Sequence, residues 1–431
     1  MCPSNQPDGV FPALFSQQKR ATLFRQLWIW LAESQRELGL EEITSEMVAE
    51  MKANMNEIRW KDIAEREQKT KHDVMAHIGA FGEVCPSAKG IIHLGVTSCF
   101  VQDNADLIIQ REALDHVIKS LAICLKGLAN FVAENSGLPT AGRAIFHEPS
   151  LTTVGRRAAN WADGLLDALK NFHRVRAELR FRGVKGAVGT QDALVDLFST
   201  IDSATAKQRA TRLDAMVAQK AGFDGKLFNV CGQTYPRYQD SNVVFALSLF
   251  GSAAAKFAND FRILQELGEM SETSPDTEDQ MARSSATMVL TQQILGDSTK
   301  LMSYVLSPLK TFADQGLERT LDDSAIRRIV LSESFLTADA ILSKLQRVFT
   351  EMFVHKEVVC AKVPAEFRCD VLLTRVMERQ TRNFVNKELR PTIEEDSDGM
   401  IRCVPSICLV SLIFDDDLIK FAYKFIVFLM H

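Results

Sequence analysis

The sequence predicts an all-α fold with a central bundle of long helices. Only 22 glycines and 12 prolines interrupt 431 residues, and so little punctuation favours helix over turn-rich structure. Over long segments, apolar residues recur at intervals of three and four, the spacing of one face of a helix. The alternation of Val, Ile and Thr that is typical of strands is nearly absent.

The first predicted helix covers residues 21–38. Its apolar residues recur at helical spacing and are Leu23, Leu27, Trp30, Leu31 and Leu38. Gly39 stands where a glycine commonly ends a helix, because glycine adopts the left-handed conformation of that position without strain. We therefore predict an amphipathic helix that ends at Gly39.

Three much longer helices are predicted further along the chain, over residues 103–135, 151–182 and 241–270. The first carries one continuous apolar stripe made of Leu114, Ile118, Leu121, Leu125, Leu128 and Val132. At 1.5 Å per residue this helix would extend for roughly 50 Å, whereas the average globular helix has about 11 to 12 residues. Three consecutive helices of this length predict a helical bundle at the centre of the fold.

Composition and charge narrow the function classes. Hydrophobic residues make up 46% and charged residues 24% of the chain, which is ordinary for a globular protein and excludes a disordered or collagen-like chain. The 55 acidic residues exceed the 50 basic ones, and the net charge of -5 offers no general attraction to nucleic acid or to an anionic membrane. We expect neither as a partner, so an anionic ligand must be bound by local arginines.

The cysteines and histidines predict no metal site. The nine cysteines include no Cys-x-x-Cys pair, so we expect reduced thiols in a cytoplasmic protein. The two closest histidines, His72 and His77, are five residues apart, a spacing that does not place both on one helical face. The sequence also lacks a Walker loop, a dinucleotide-binding glycine motif and a nucleophile elbow.

Polar residues concentrate in four short segments between the predicted helices: 70–73, 91–106, 232–237 and 318–328. The turn that ends in Thr97 and Ser98 has hydroxyls and backbone N–H groups that suit a carboxylate or phosphate, although both residues could simply cap the following helix. Segment 318–328 holds three arginines and Ser324, and its alternative interpretation is a solvated helix start. His72 is either a site residue or a buried structural histidine.

Five sequence blocks together closely resemble the adenylosuccinate lyase family, specifically its animal form. In chain order they are Lys71-His72-Asp73-Val74-Met75-Ala76-His77, Gly90-Ile91-Ile92-His93-Leu94-Gly95-Val96-Thr97-Ser98, Arg180-Phe181-Arg182-Gly183-Val184-Lys185-Gly186, Gly232-Gln233-Thr234-Tyr235 and Glu318-Arg319-Thr320-Leu321-Asp322-Asp323-Ser324. The resemblance covers about residues 24–359, which is most of the chain.

The resemblance implies the all-α fold of the fumarase and aspartase superfamily, with a central long-helix bundle and smaller helical flanking domains. We place the three domains at 1–98, 99–353 and 354–431, the last of them truncated or divergent. The implied reaction eliminates fumarate from adenylosuccinate to give AMP, and from succinylaminoimidazolecarboxamide ribotide in purine biosynthesis, without a cofactor. The implied partners are these purine nucleotide substrates and further copies in a homotetramer, or an intact lyase in a mixed tetramer.

The same resemblance implies the residues of the site. The substrate-binding residues would be Lys71, His72 and Asp73, the carboxylate-binding hydroxyl pair Thr97 and Ser98, the glutamine Gln233, and the phosphate-side residues Arg319, Ser324 and Arg328. In the family, a serine on a loop acts as the general base and a histidine protonates the departing nitrogen. Ser284 matches that serine.

The chain departs from the family pattern at both catalytic segments. The lysine and asparagine that support the family's serine are missing after Ser284, and a serine without such support is a poor base. Ile145 stands where the family has its proton-donating histidine, and His147, two residues later, is the candidate replacement. Residues 379–431 match no part of the family's last domain. Two alternatives therefore stay open: an inactive paralogue that acts through mixed oligomers, and a defective gene model of the enzyme.

Overall fold

The computed structural model describes residues 10–145, 150–274, 289–367 and 371–393. The first helices are α1 (Val10–Leu14), α2 (Gln17–Glu37), α3 (Ser45–Ala53), α4 (Trp60–Thr70), α5 (Asp73–Val84) and α6 (Ser98–Glu134). A hairpin of β1 (Pro139–Gly142) and β2 (Ser150–Thr153) leads to α7 (Val154–Glu178), α8 (Asp192–Ser199), α9 (Ala206–Lys220) and α10 (Tyr238–Glu266). Next come β3 (Met270–Ser271), α11 (Val289–Ser303), α12 (Leu306–Asp314), α13 (Asp323–Glu351) and β4 (Phe353–Val354). The described chain then continues through α14 (Lys356–Ala361), a 3-10 turn (Ala365–Phe367), α15 (Val371–Phe384), a π-helical turn (Val385–Leu389) and α16 (Arg390–Thr392).

The long helices α6, α7, α10 and α13 form the predicted central bundle. Helix α6, with 37 residues, packs against α7 and α13, while α10 packs against α7, α11 and α13. The apolar stripe predicted for α6 is buried in the main hydrophobic core. The helix begins five residues earlier than predicted because Thr97, in an extended conformation, forms its N-cap. The all-α fold with a central bundle is confirmed.

Local sequence signals account for the ends of two predicted helices. Gly39 has a φ of +100° and its N–H donates to the Arg36 carbonyl at 2.9 Å, so it ends α2 as predicted. Helix α7 starts later than predicted, because residues 151–153 belong to strand β2, which pairs antiparallel with β1. The Thr153 hydroxyl accepts the Arg156 N–H and caps α7.

Two helices, α6 and α10, are long and apolar enough to span a membrane by length and composition. More than half of each apolar window, 56% in α6 and 61% in α10, is buried inside the protein. Both are core helices of the bundle, which explains their apolar composition.

Several sequence-based predictions lie outside the described residues. These are Ser284, His147 and the chain beyond residue 393. The domain boundaries at 98 and 353 stay predictions.

Candidate active site

A cleft of about 950 Å³ lies between the N-terminal helices and the central bundle. Helices α2, α4 and α5 form one wall, and the first turns of α6 and α13 form the other. Of the predicted site residues, those that line it are Lys71, His72, Asp73, Ser98, Arg319, Ser324 and Arg328. The fold therefore brings three distant segments of the chain to one concave surface, the usual setting of a ligand site.

The junction between α4 and α5 positions His72. Lys71 ends α4 in a left-handed conformation, and His72 is the N-cap of α5, where its Nδ1 accepts the Met75 N–H at 3.4 Å. The same imidazole reaches Ser98, with 3.2 Å between Nε2 and the hydroxyl oxygen. Because Nδ1 accepts a hydrogen bond, we assign the proton of the neutral ring to Nε2. His72 thus links the start of α5 to the start of α6.

Asp73 has a role in local structure as well as a place in the cleft. Its Oδ1 accepts the Val74 N–H at 2.8 Å, and its Oδ2 accepts Gln102 Nε2 at 2.8 Å. A carboxylate in the first turn also stabilises the positive end of the helix. The bond to Gln102 ties α5 to α6, so Asp73 helps to hold the orientation of His72 beside it.

Thr97 and Ser98 lie at the start of the longest helix. Thr97 is the N-cap of α6, but its side chain makes no capping hydrogen bond. Ser98 lines the cleft, and Thr97 is half-buried just before it. The N-terminus of a helix carries partial positive charge, which favours an anion such as a carboxylate.

Gln233 lies behind the cleft wall and supports Arg319. Its Oε1 accepts Arg319 Nη1 at 2.8 Å, and its N–H donates to the Glu318 carbonyl at 3.0 Å. Arg319 Nη1 also lies 2.7 Å from the Cys99 sulfur. Burial raises the pKa of Cys99 to about 12 despite the nearby arginines, so Cys99 is a neutral thiol. Gln233 is therefore placed to orient Arg319.

The basic glycine-rich loop 180–189 serves the protein interior. Arg182 is fully buried, and its guanidinium donates to the carbonyls of Gln233, Gly183, Lys185 and Gly186. The loop acts on the site indirectly, because Arg182 Nε holds the Gln233 carbonyl at 2.7 Å.

The start of α13 supplies the cationic wall of the cleft. Ser324 and Arg328 are one helical turn apart and share a face, and both line the cleft. The Ser324 hydroxyl donates to the Leu321 carbonyl at 3.0 Å, while Arg328 is exposed. Arg20 of α2 also lines the cleft, 3.4 Å from Asp106.

Sequence reasoning missed the aromatic side of the cleft. Trp60, Phe24 and His77 line it, and the His77 ring meets those of Phe24 and Trp60 edge-on, with 5.4 and 6.3 Å between centroids. Burial lowers the pKa of His77 to about 4, although Asp73 opposes the shift, so the ring is neutral. One signal was available: Trp60, Ile63, Ala64 and Glu67 have the spacing of one helical face and all line the cleft.

A set of buried ionic groups on the cleft floor was also missed. Asp103, Arg237, Asp323 and Arg327 all line the cleft, and the first three are at most 3% exposed. No motif or spacing in the sequence pairs these residues, since they come from α6, the loop before α10 and α13.

Comparisons with known proteins identify the class and then the family. No family model matches the chain. The fold is similar to that of a fumarate lyase from Mesorhizobium sp. BNC1, with a TM-score of 0.70, 17% identity and coverage of 89% of this chain and 86% of that one. The protein therefore has the fold class of the fumarate lyases.

Closer relatives are found among curated sequences. The chain is 44% identical to the adenylosuccinate lyase of Caenorhabditis briggsae over 349 residues, which is 80% of this chain and 71% of the relative. It is 38% identical to the adenylosuccinate lyase of Saccharomyces cerevisiae over 389 residues, 88% of this chain and 79% of the relative. The chain belongs to the adenylosuccinate lyase family.

Proposed function

We propose that this chain is an adenylosuccinate lyase that eliminates fumarate from adenylosuccinate to give AMP, and from succinylaminoimidazolecarboxamide ribotide. The observation that carries the proposal is the single cleft that holds the hydroxyl of Ser98, the imidazole of His72 and the guanidinium groups of Arg319 and Arg328. Such a set suits a substrate with carboxylates at one end and a phosphate at the other.

The substrate's carboxylates would bind at the start of α6. Thr97 and Ser98 offer hydroxyls there, and the helix terminus offers partial positive charge. Elimination of fumarate begins with removal of a proton next to a carboxylate, so negative charge accumulates on that group in the transition state. Fixed donors around it lower the barrier. His72, bonded to Ser98, and Gln233, through Arg319, would keep these donors in place.

The phosphate would bind at the start of α13, where Arg319, Ser324 and Arg328 supply donors. Lys71 and Asp73 would contact the part of the substrate between its two ends. The proton transfers belong to residues outside the described part of the chain, with Ser284 proposed as the base and His147 as the acid. No metal or redox group is needed for this elimination, because the reaction only moves a proton and an electron pair.

We also propose that the chain assembles as a homotetramer, or in a mixed tetramer with an intact lyase, in the cytoplasm. Support comes from apolar side chains on one side of α12, where Leu306, Leu309 and Phe312 are 75%, 48% and 47% exposed. Ile329 of α13 is 58% exposed. Clustered exposed apolar residues commonly mark a protein interface. Light scattering of the purified chain, alone and mixed with an intact lyase, tests the assembly; a monomer in both samples would contradict it.

Fumarate release tests the activity. The purified chain, incubated with adenylosuccinate, should release fumarate and AMP in equal amounts. Ser98→Ala should reduce turnover about 10- to 100-fold, since it removes one donor to a developing charge. Ser303→Ala, which changes an exposed hydroxyl on α11 outside the cleft, is the matched control and should keep wild-type turnover. Absence of fumarate above the buffer blank in the wild-type chain would reject the proposal.

A second measurement separates binding from chemistry. Isothermal titration with AMP should show binding by the wild-type chain even if turnover is slow, because the proposed phosphate-side residues Arg319, Ser324 and Arg328 line the cleft and binding requires no proton transfer. Binding without turnover would mean that the cleft is a nucleotide site without the lyase reaction, which is the inactive alternative.

A further inference from the structure

Arg237 lies on the cleft floor between two buried carboxylates. It is 1% exposed, and Asp103 and Asp323 are 2% and 3% exposed. Arg237 Nε and Nη2 lie 2.9 and 2.8 Å from Asp323 Oδ2. On the other side, Nη1 and Nη2 donate to Asp103 at 3.3 and 3.2 Å. One guanidinium therefore joins the start of α6 to the start of α13.

The three charged residues have a common placement along the chain. Asp103 comes five residues after Ser98, Arg237 comes four residues after Gln233, and Asp323 comes four residues after Arg319. Each ligand-binding segment is thus followed within five residues by one member of the buried triad. The distances within the triad consequently set the distances between the three segments.

The surroundings of the triad hold its members in one arrangement. Asp103 Oδ2 also accepts the Tyr235 N–H at 2.8 Å, and the Arg237 guanidinium lies 4.6 Å from the centre of the Tyr235 ring. Burial by itself would raise the pKa of Asp103, but the arginines around it lower that pKa, so the carboxylate stays charged.

Net stability is a weak explanation for such a triad. Removing charges from water costs about as much as the buried pairs return, and apolar residues of the same volume often stabilise as well. A planar guanidinium offers something that apolar residues and lysine do not, namely several donors in a rigid fork that fixes two carboxylates at once.

We propose that Arg237 is a positioning residue that sets the gap between the carboxylate end of the site, at Ser98, and the phosphate end, at Arg319. The inference rests on the proposed function for the identity of the ligand, a nucleotide that must contact both ends. Arg237 would act through Asp103 and Asp323, because its guanidinium nitrogens face these two carboxylates. A shift of the order of 1 Å between reacting groups can cost about 100-fold in rate. Loss of the hydrogen bonds from the Arg237 guanidinium to Asp103 and Asp323 would allow such a shift.

The test is Arg237→Lys, which keeps the positive charge but reaches both carboxylates poorly. Arg111→Lys is the matched control, because Arg111 is a half-buried arginine of α6 that donates to the Ala221 carbonyl at 2.5 Å and does not line the cleft. Amide hydrogen exchange is the first readout and needs no activity. In Arg237→Lys we expect faster exchange in segments 232–237 and 318–324, with the middle of α7 unchanged. Arg111→Lys should leave both cleft segments at the wild-type rate.

Ligand binding and kinetics are the second readout. The value of kcat/KM for adenylosuccinate should fall about 100-fold in Arg237→Lys and stay within about twofold in Arg111→Lys. AMP lacks the succinyl carboxylates and would contact only the phosphate end, so its affinity should fall less. The inference is overturned if the cleft segments exchange at the wild-type rate, if the whole bundle loosens equally, or if kcat/KM for adenylosuccinate keeps its wild-type value despite the faster exchange. A wild-type chain that neither binds AMP nor releases fumarate, with selective loosening in the variant, rejects the proposed function and leaves the positioning role supported.

Discussion

The protonation of His93 should make folding stability depend on pH. His93 is a half-buried residue whose Nδ1 accepts the Trp28 indole N–H at 2.8 Å. Burial lowers the pKa of His93 to about 4, with a smaller contribution from His72. A proton on Nδ1 would abolish the acceptor and place a charge in the core. The folded state therefore binds this proton less readily than the unfolded chain.

The sign and size of this pH effect on folding stability follow from the linkage between proton binding and folding. The pKa of His93 is about 4 in the folded protein, against an ordinary histidine pKa of 6.5. Between these two pH values the unfolded state binds more protons than the folded state, so stability falls as pH falls. A pKa difference of about 2.5 units, at 1.36 kcal/mol per unit, corresponds to about 3 kcal/mol lost across this window. The contribution is fully present above pH 6.5 and absent below pH 4.

Urea unfolding from pH 7.5 to pH 4 provides the measurement. His93→Gln cannot titrate, so the free energy of unfolding should depend less on pH than in the wild type by about 3 kcal/mol over the window. Trp28→Phe is the control. It removes the hydrogen bond to His93 but leaves the His93 imidazole buried, so it should lower stability at pH 7.5 and retain most of the pH dependence. The difference in unfolding free energy between variant and wild type cancels the contribution of carboxylates that titrate in the same pH range. Parallel pH curves for the wild type and His93→Gln would refute the reasoning.

Three further perturbations have clear expected outcomes. Lys185→Met removes the partner of the Asp214 carboxylate, 2.8 Å away in a buried pair, and should cost about 3 to 5 kcal/mol in urea unfolding; a loss below about 1 kcal/mol would contradict this. Gly189→Ala should lower the melting temperature strongly, because φ is +82° there and a Cβ would overlap the Cys231 carbonyl oxygen; an unchanged melting temperature would show that the loop can relax. Arg328→Ala, at an exposed position, should weaken AMP binding about 10-fold in calorimetry while leaving the melting temperature unchanged, and unaltered affinity would remove Arg328 from the site.

The helical architecture was largely predictable because its signal is local. The apolar stripe on α6 and the glycine that ends α2 are properties of neighbouring residues, and the structure confirms both. The errors of prediction concern where helices begin, at α6 and α7. The two short strand pairs escaped prediction because each strand contains only two to four residues, too few for a period to be visible. In addition, β3 and β4 lie far apart in sequence.

The site was predictable only in part. Lys71, Ser98 and Arg328 were identified through a resemblance in sequence, and all three line one cleft. Gln233 was identified in the same way, yet it lies behind Arg319 rather than in the cleft wall. Arg182 belongs to a basic glycine-rich segment, yet its guanidinium donates to backbone carbonyls inside the protein, where the side chain is fully buried. Composition and spacing do not reveal which polar groups lose contact with water.

Helix positions, the all-α class and the family follow from the order of residues along the chain, since helical periodicity and sequence motifs depend on close neighbours. The cleft, the neutral state of His93 and His77 and the pairing of Arg237 with two carboxylates depend on tertiary structure. Each of these arises from burial and from contacts between residues far apart in sequence. Electrostatic effects grow when water is excluded, and only the packed fold determines where that happens.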